Sequence, residues 1–172
     1  MIIVLGLLFF GSILLLFWQA SNLISVFLGS PYVRTNRQVI IEALKLSGLK
    51  KGEVLYDLGF GNGDVLIEAA KLGAKATGFE ISPFYYSWAK FRTPQYRNIQ
   101  LKYQNIRKAD LRGADVIYCY LLPEMLAKLA PRFRRQMKPG SRLISIGFPI
   151  KGIRNRLEYH LGGRKIFVYK ME

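Results

Sequence analysis

The sequence predicts an α/β protein: a doubly wound sheet closed by a C-terminal antiparallel hairpin and preceded by one N-terminal transmembrane helix. Three observations carry this. Residues 2–18 are apolar and uncharged. A strand–glycine turn–helix–strand unit follows at 54–80. Strand-like and helix-like patterns then alternate up to a two-glycine turn, Gly162-Gly163, between two alternating segments.

The first charged side chain is Arg34. A second apolar run, 23–28, follows the break Gln19-Ala20-Ser21-Asn22. As a helix, 2–18 spans roughly 25 Å and 2–28 roughly 40 Å, which brackets a bilayer core of about 30 Å. Trp18 suits the interfacial level. A cleaved export signal fits less well, because no basic segment precedes the apolar run and Trp18-Gln19-Ala20 is a poor small-x-small site. The expectation is a retained anchor over 1–28 and one domain over 29–172. Arg34, Arg37, Lys45, Lys50 and Lys51 come next, so the positive-inside rule places the domain on the cytoplasmic side of a single-pass chain.

After a short join at Gly29-Ser30-Pro31, Thr35-Asn36-Arg37-Gln38 fits a capping box begun by Thr35. It precedes Val39, Ile40, Ala43, Leu44 and Leu46 at helical spacing, and Gly48 ends that helix. Strands are expected at 54–58, 75–81, 99–103, 114–120 and 141–148, with helices at 64–72, after Pro83, and from Pro123 to Met137. Segments 156–161 and 165–169 form the hairpin, which sets an antiparallel strand near one edge.

The chemistry concentrates in Tyr56-Asp57-Leu58-Gly59-Phe60-Gly61-Asn62-Gly63-Asp64 and in Glu80. Three glycines let the backbone turn sharply and approach a ligand closely. A carboxylate ending the second strand can accept hydrogen bonds from ribose hydroxyls at the carboxyl ends of parallel strands. The dinucleotide fingerprint is G-x-G-x-x-G, whereas here the spacing is G-x-G-x-G and Asp64 stands where the third glycine would fall. An acid there repels a pyrophosphate. Asp57 can attract an ammonium. Nucleoside plus amino acid without phosphate describes S-adenosylmethionine.

These residues resemble the class I, seven-β-strand methyltransferases, with a Rossmann-like sheet, over residues 35–172. Pro31-Tyr32-Val33-x-Thr35, Tyr120-Leu121-Leu122-Pro123 and Lys138-Pro139-Gly140-Ser141-Arg142 are further similar to the small membrane-anchored and archaeal protein-lysine methyltransferases. The usual loop of that family reads G-S-G-D-G-R, and this chain departs from it with Asn62 and an acid at 64. The resemblance implies methylation of protein lysines. Gly59, Gly61 and Gly63 would make room for the methionine portion beside Asp57, and Glu80 would clamp the ribose with Ile81 against the adenine. The resemblance alone implies that Asn105 and Ile106 face the adenine amino group. Tyr120 and Tyr32 would wall a substrate channel, where aromatic faces attract an ammonium; the alternative for each is local packing.

One cysteine and one histidine, with no C-x-x-C or H-E-x-x-H, argue against a metal or hydrolytic site. Cys119 and His160 are expected in the core and on the hairpin surface. Twenty-six basic against 11 acidic residues give a formal charge of +15, which suits an anionic lipid surface beside an anchor. A protein substrate, with membrane proteins among the candidates, is the expected partner. RNA or DNA is less favoured, since strand four lacks an Asn/Asp-Pro-Pro-Tyr motif. Lipid or small-molecule methylation and a silent cofactor-binding scaffold are the remaining readings.

Overall fold

The computed structural model describes residues 1–27, 33–154 and 156–172, with 21–27 as backbone. The expected join at 29–31 and Tyr32 lie outside the described residues. Helix α1 runs unbroken over Ile2–Phe27. It is long and apolar enough to cross a membrane over Ile2–Ala20, with mean hydropathy 2.4, and no part of that window is buried against the rest of the chain.

Seven strands, β1 (Val54–Leu58), β2 (Lys75–Glu80), β3 (Ile99–Tyr103), β4 (Val116–Cys119), β5 (Arg142–Ile146), β6 (Arg156–Leu161) and β7 (Arg164–Lys170), form one sheet in the order β3-β2-β1-β4-β5-β7-β6. β1 to β5 are parallel; β7 enters antiparallel between β5 and β6. The antiparallel strand is therefore second from the edge. Strand order reverses between β1 and β4, and ligands of such sheets bind at that point.

Helices α2 (Arg37–Leu46) and α3 (Asp64–Lys71) help cover one face, and α5 (Pro123–Gln136) helps cover the other. α4 (Pro83–Arg92) adds Ala89 to the first layer. α2 buries Val39, Ile40, Ala43 and Leu44, and α5 buries Met125, Leu126, Leu129, Ala130 and Phe133, each on one stripe. All four residues of β4 are buried, as expected of a strand covered on both faces.

Three expected details shift. The α2 cap is Asn36, whose side chain accepts from the Gln38 N–H at 2.8 Å. Asn36 is the last residue with extended backbone, so it holds the capping position and Thr35 is released toward a cavity. β5 stops at Ile146 because Gly147 turns to φ +82°, and the Ser145 hydroxyl donates to the Phe148 carbonyl at 2.7 Å. β4 begins two residues later than its apolar run.

Arg142 joins the layers at the amino end of the sheet. Its guanidinium donates to both Glu53 oxygens at 3.0 and 2.6 Å and to the carbonyls of Ser47 and Gly48. The pairing holds the Glu53 carboxyl below its ordinary range.

Candidate active site

At the carboxyl end of β1 the chain turns through Gly59, Gly61 and Gly63, all at positive φ. The Gly59 N–H donates to the Phe79 carbonyl at 2.8 Å, which pins the loop to β2. Asp57 lies opposite Gly78 on β2 and opposite Tyr118 on β4. A Cβ at Gly78 would come within 2.4 Å of the Phe60 ring, so a glycine is needed for Phe60 to fold back over β2.

The Glu80 carboxylate is held by three backbone donors: Gly61 N–H at 3.0 Å, and Ile81 and Ser82 N–H at 2.8 Å each. A carboxylate has about four lone-pair sites, so about one remains for a ligand instead of the two that a pair of ribose hydroxyls would use. Burial raises the Glu80 carboxyl above its ordinary value, partly offset by those donors.

Asp57 differs. It is 3% exposed, and its Oδ2 has no hydrogen-bond partner among the described residues. Burial, with the charges of Glu80 and Asp64 added, pushes its carboxyl well above the usual range. The Tyr118 hydroxyl is a second buried polar atom without a hydrogen bond of ordinary geometry. Its phenol is raised by burial and then by the Asp57 charge.

Asp57 and Tyr118 line one cavity with Thr35, Phe60, Glu80 and Tyr120. Its enclosed part measures about 50 Å³. That is room for the small charged end of a ligand; whole-ligand sites run from ~300 Å³ upward.

Tyr120 follows β4 and lines the same cavity. Arg164, at the start of β7, donates to its hydroxyl at 2.5 Å and lies 5.5 Å over its ring. Beside it is Gly147, where a Cβ would stand 3.1 Å from the Tyr120 ring. One ring face expected to receive a substrate ammonium thus already carries a guanidinium.

The structure brings Asp57, Gly59, Glu80 and Tyr120 to one cavity. Gly61 and Gly63 serve it indirectly, one by bonding Glu80 and the other as the left-handed residue ahead of α3. Ile81 follows Glu80 and contributes its N–H. The structure does not bring Asn105 and Ile106 there. The Asn105 side-chain oxygen accepts from the Arg107 N–H at 2.9 Å, capping a 3-10 turn, and Ile106 packs into the core beneath α5. Sequence reasoning missed Tyr118, although it sits two residues before Tyr120 and so shares its side of the strand. It also missed Arg92 and Arg164, which meet their partners only through the fold.

Cys119 is fully buried, donates to the Ile144 carbonyl at 3.3 Å, and has its thiol pushed up to about 12 by burial. His160 lies on the exposed hairpin beside Glu158. No cluster of metal-ligating side chains occurs among the described residues. Several cations have local work: Arg37 and Lys71 pair with Glu68, Arg112 with Asp110, and Arg132 donates to the carbonyls of Arg107 and Ala109.

The family model of the ANTKMT methyltransferase domain matches residues 57–156. A protein-lysine N-methyltransferase from Saccharolobus islandicus is 30% identical over 127 residues, covering 71% of this chain and 79% of its own. The adenine nucleotide translocase lysine N-methyltransferase of Mus musculus is 25% identical over 124 residues, covering 70% of this chain and 54% of its own, so the chain spans about half that relative's length. A crystal structure of an RNA methyltransferase from Salinibacter ruber with S-adenosylhomocysteine superposes with a TM-score of 0.77 at 28% identity, covering 81% of this chain and 94% of that one.

Proposed function

Because the chain belongs to the ANTKMT methyltransferase domain family, we propose that it methylates lysine side chains of a protein, its domain (29–172) held at a membrane by an anchor over 1–28. S-adenosylmethionine is the cofactor of this fold. The observation that carries the reading is Asp57 Oδ2, a buried carboxylate oxygen at the topological switch point with no hydrogen-bond partner among the described residues. An amino-acid ammonium is the partner it lacks. The residues present therefore fit the cofactor: Asp57 takes the ammonium, Glu80 one ribose hydroxyl, and the loop 59–63 leaves room for the methionine chain.

When bound, the cofactor supplies an electrophilic methyl on a sulfonium, whose loss leaves a neutral thioether. The chain's own work is positioning and desolvation. Phe60, Tyr118 and Tyr120 stand beside the cavity, and a lysine amine desolvated against these rings has its pKa lowered from about 10.4. Arg164 adds a positive charge beside the same wall and favours the neutral amine, the nucleophilic form. Lysine as acceptor is supported by the archaeal relative; anchoring is supported by the length and exposure of α1.

The experiment is transfer of a labelled methyl group from S-adenosylmethionine into a membrane fraction, with the label sorted into protein, lipid and nucleic acid. Methyl-lysine in a protein band is the expected result. Label confined to RNA or lipid overturns the assignment.

A further inference from the structure

Helix α4 has two faces with different fates. Tyr85 and Ala89 point inward and are buried. Phe84, Trp88 and Phe91 recur at i, i+4 and i+7 on the other side. Trp88 is 47% and Phe91 77% exposed, and their rings lie 6.0 Å apart. Tyr86, on the opposite side of α4, packs toward the sheet and meets Tyr103 at the end of edge strand β3, with ring centroids 5.4 Å apart. Beyond α1, Trp88, Phe91 and Tyr103 are the exposed aromatic residues among those described.

This patch is continuous with α1. Phe17 and Phe84 have ring centroids 6.2 Å apart, and Trp18 hydrogen-bonds Tyr85. Phe17 and Trp18 end the first apolar run, 2–18, which spans roughly 25 Å as a helix and stops at the polar break 19–22, the level at which a spanning helix leaves the hydrocarbon. α4 therefore meets α1 at interface depth. Its composition suits that depth, because aromatic rings favour the headgroup boundary and the exposed Lys90 matches anionic lipid. A protein-binding hot spot uses the same ring types. The direct junction with α1 favours lipid.

We propose that the outer face of α4, formed by Phe84, Trp88 and Phe91, is a second membrane contact that beds in the headgroup region of an anionic bilayer beside α1. The proposal rests on the spanning reading of α1. α4 begins three residues after Glu80 and is tied to the cofactor loop by Arg92, which donates to Asp64 and to the Asn62 carbonyl. Bedding this face fixes the glycine loop at the bilayer surface, so the lysines within reach are those presented at the membrane–water boundary.

The chain has two tryptophans, Trp18 and Trp88, so each can be read alone. The full chain is reconstituted in phosphatidylcholine–phosphatidylglycerol vesicles carrying lipids brominated near the headgroup end of the acyl chain. Trp18→Phe leaves Trp88 as the reporter, and Trp88→Phe leaves Trp18; circular dichroism confirms that both variants fold. Comparable quenching of both indoles is expected. Quenching of Trp18 with Trp88 untouched overturns the α4 contact and leaves the anchor standing. Quenching of Trp88 alone removes the spanning reading and overturns the proposal of a contact beside a spanning α1. No quenching of either overturns both. Trp88 emission that ignores the lipid probe but shifts with protein concentration assigns the face to a second copy of the chain and also overturns the proposal.

Discussion

Arg92 donates through one nitrogen to the Asp64 carboxylate and to the Asn62 carbonyl, each at 2.7 Å. The acid at 64, which departs from the family's usual loop, is thereby paired with a cation from α4 instead of facing the ligand alone. Asp64 also opens α3, where a negative charge complements the helix N-terminus. The pair is about one-quarter to one-third exposed, so its coupling is set at about 0.5–1 kcal/mol.

Arg92→Ala should therefore weaken S-adenosylhomocysteine binding by about 2–5-fold, by loosening the loop and leaving Asp64 uncompensated. Arg92→Ala with Asp64→Asn should recover part of that loss. Titration calorimetry on the single and double variants checks the coupling. Equal losses in both would show that the pair does not govern the loop.

Much of this arrangement was legible in the sequence, for reasons that differ by residue. β1 and β3 have the expected bounds, β1 because Gly52 and Gly59 punctuate it and β3 because Ile99 to Tyr103 alternates. β5 was expected too long because apolar Phe148 continues the pattern while Gly147 breaks the backbone, and hydropathy does not encode φ. Thr35 and Asn36 are both good caps, so composition alone left the choice one residue off. Asp57 and Glu80 were readable from a local unit, since strand ends and glycine turns fix where their carboxylates go. Arg92 and Arg164 were not, because their partners lie 28 and 44 residues away. Asn105 and Ile106 came from resemblance; the structure places Asn105 at the cap of the 3-10 turn after β3 and Ile106 in the core.

Asp57 gives a pH-dependent prediction. Its carboxyl is raised by burial, so the native state holds a proton more tightly than the unfolded chain does. Its contribution to stability is therefore most favourable below about pH 4 and is lost as pH rises from the ordinary value of 3.8 through the raised one. Asp57→Asn should make the ligand-free protein melt higher than the wild type at neutral pH, with the gap narrowing on acidification. The same variant should bind S-adenosylmethionine more weakly, having lost the partner for its ammonium. Melting curves across pH, with and without cofactor, read both effects. A variant that is less stable at neutral pH and binds normally would remove Asp57 from the site.

Glu80 is expected to act twice, on the ligand and on the loop. Glu80→Ala should weaken S-adenosylmethionine and S-adenosylhomocysteine alike by about 1.5–3 kcal/mol, the range for hydrogen bonds to a charged group. It also strips the Gly61, Ile81 and Ser82 N–H groups of their acceptor. Glu80→Gln keeps one acceptor oxygen and should fall between. Calorimetry with both ligands decides: unchanged affinity in a folded Glu80→Ala protein would reject the ribose assignment.

The contact between Arg164 and Tyr120 separates substrate chemistry from cofactor binding. Tyr120→Ala should cut turnover far more than cofactor affinity, because it opens the wall of the cavity and leaves Asp57 and Glu80 in place. Tyr120→Phe keeps the ring that Arg164 covers and loses only the 2.5 Å hydrogen bond, so its effect should be milder. Arg164 acts on the nucleophile through charge. A cation beside the entering lysine lowers that amine's pKa, by about one unit for a near like charge. The rate should rise with pH as the bound amine loses its proton, from a solution value near 10.4 brought down by desolvation against the rings. Arg164→Ala should move that rising limb to higher pH by about one unit, while Arg164→Lys keeps it in place. The measurement is kcat/KM for methyl-lysine formation across pH for the wild type and the four variants. An Arg164→Ala profile that falls in height without moving along the pH axis would reduce Arg164 to a packing role and leave the lysine to be deprotonated by desolvation alone.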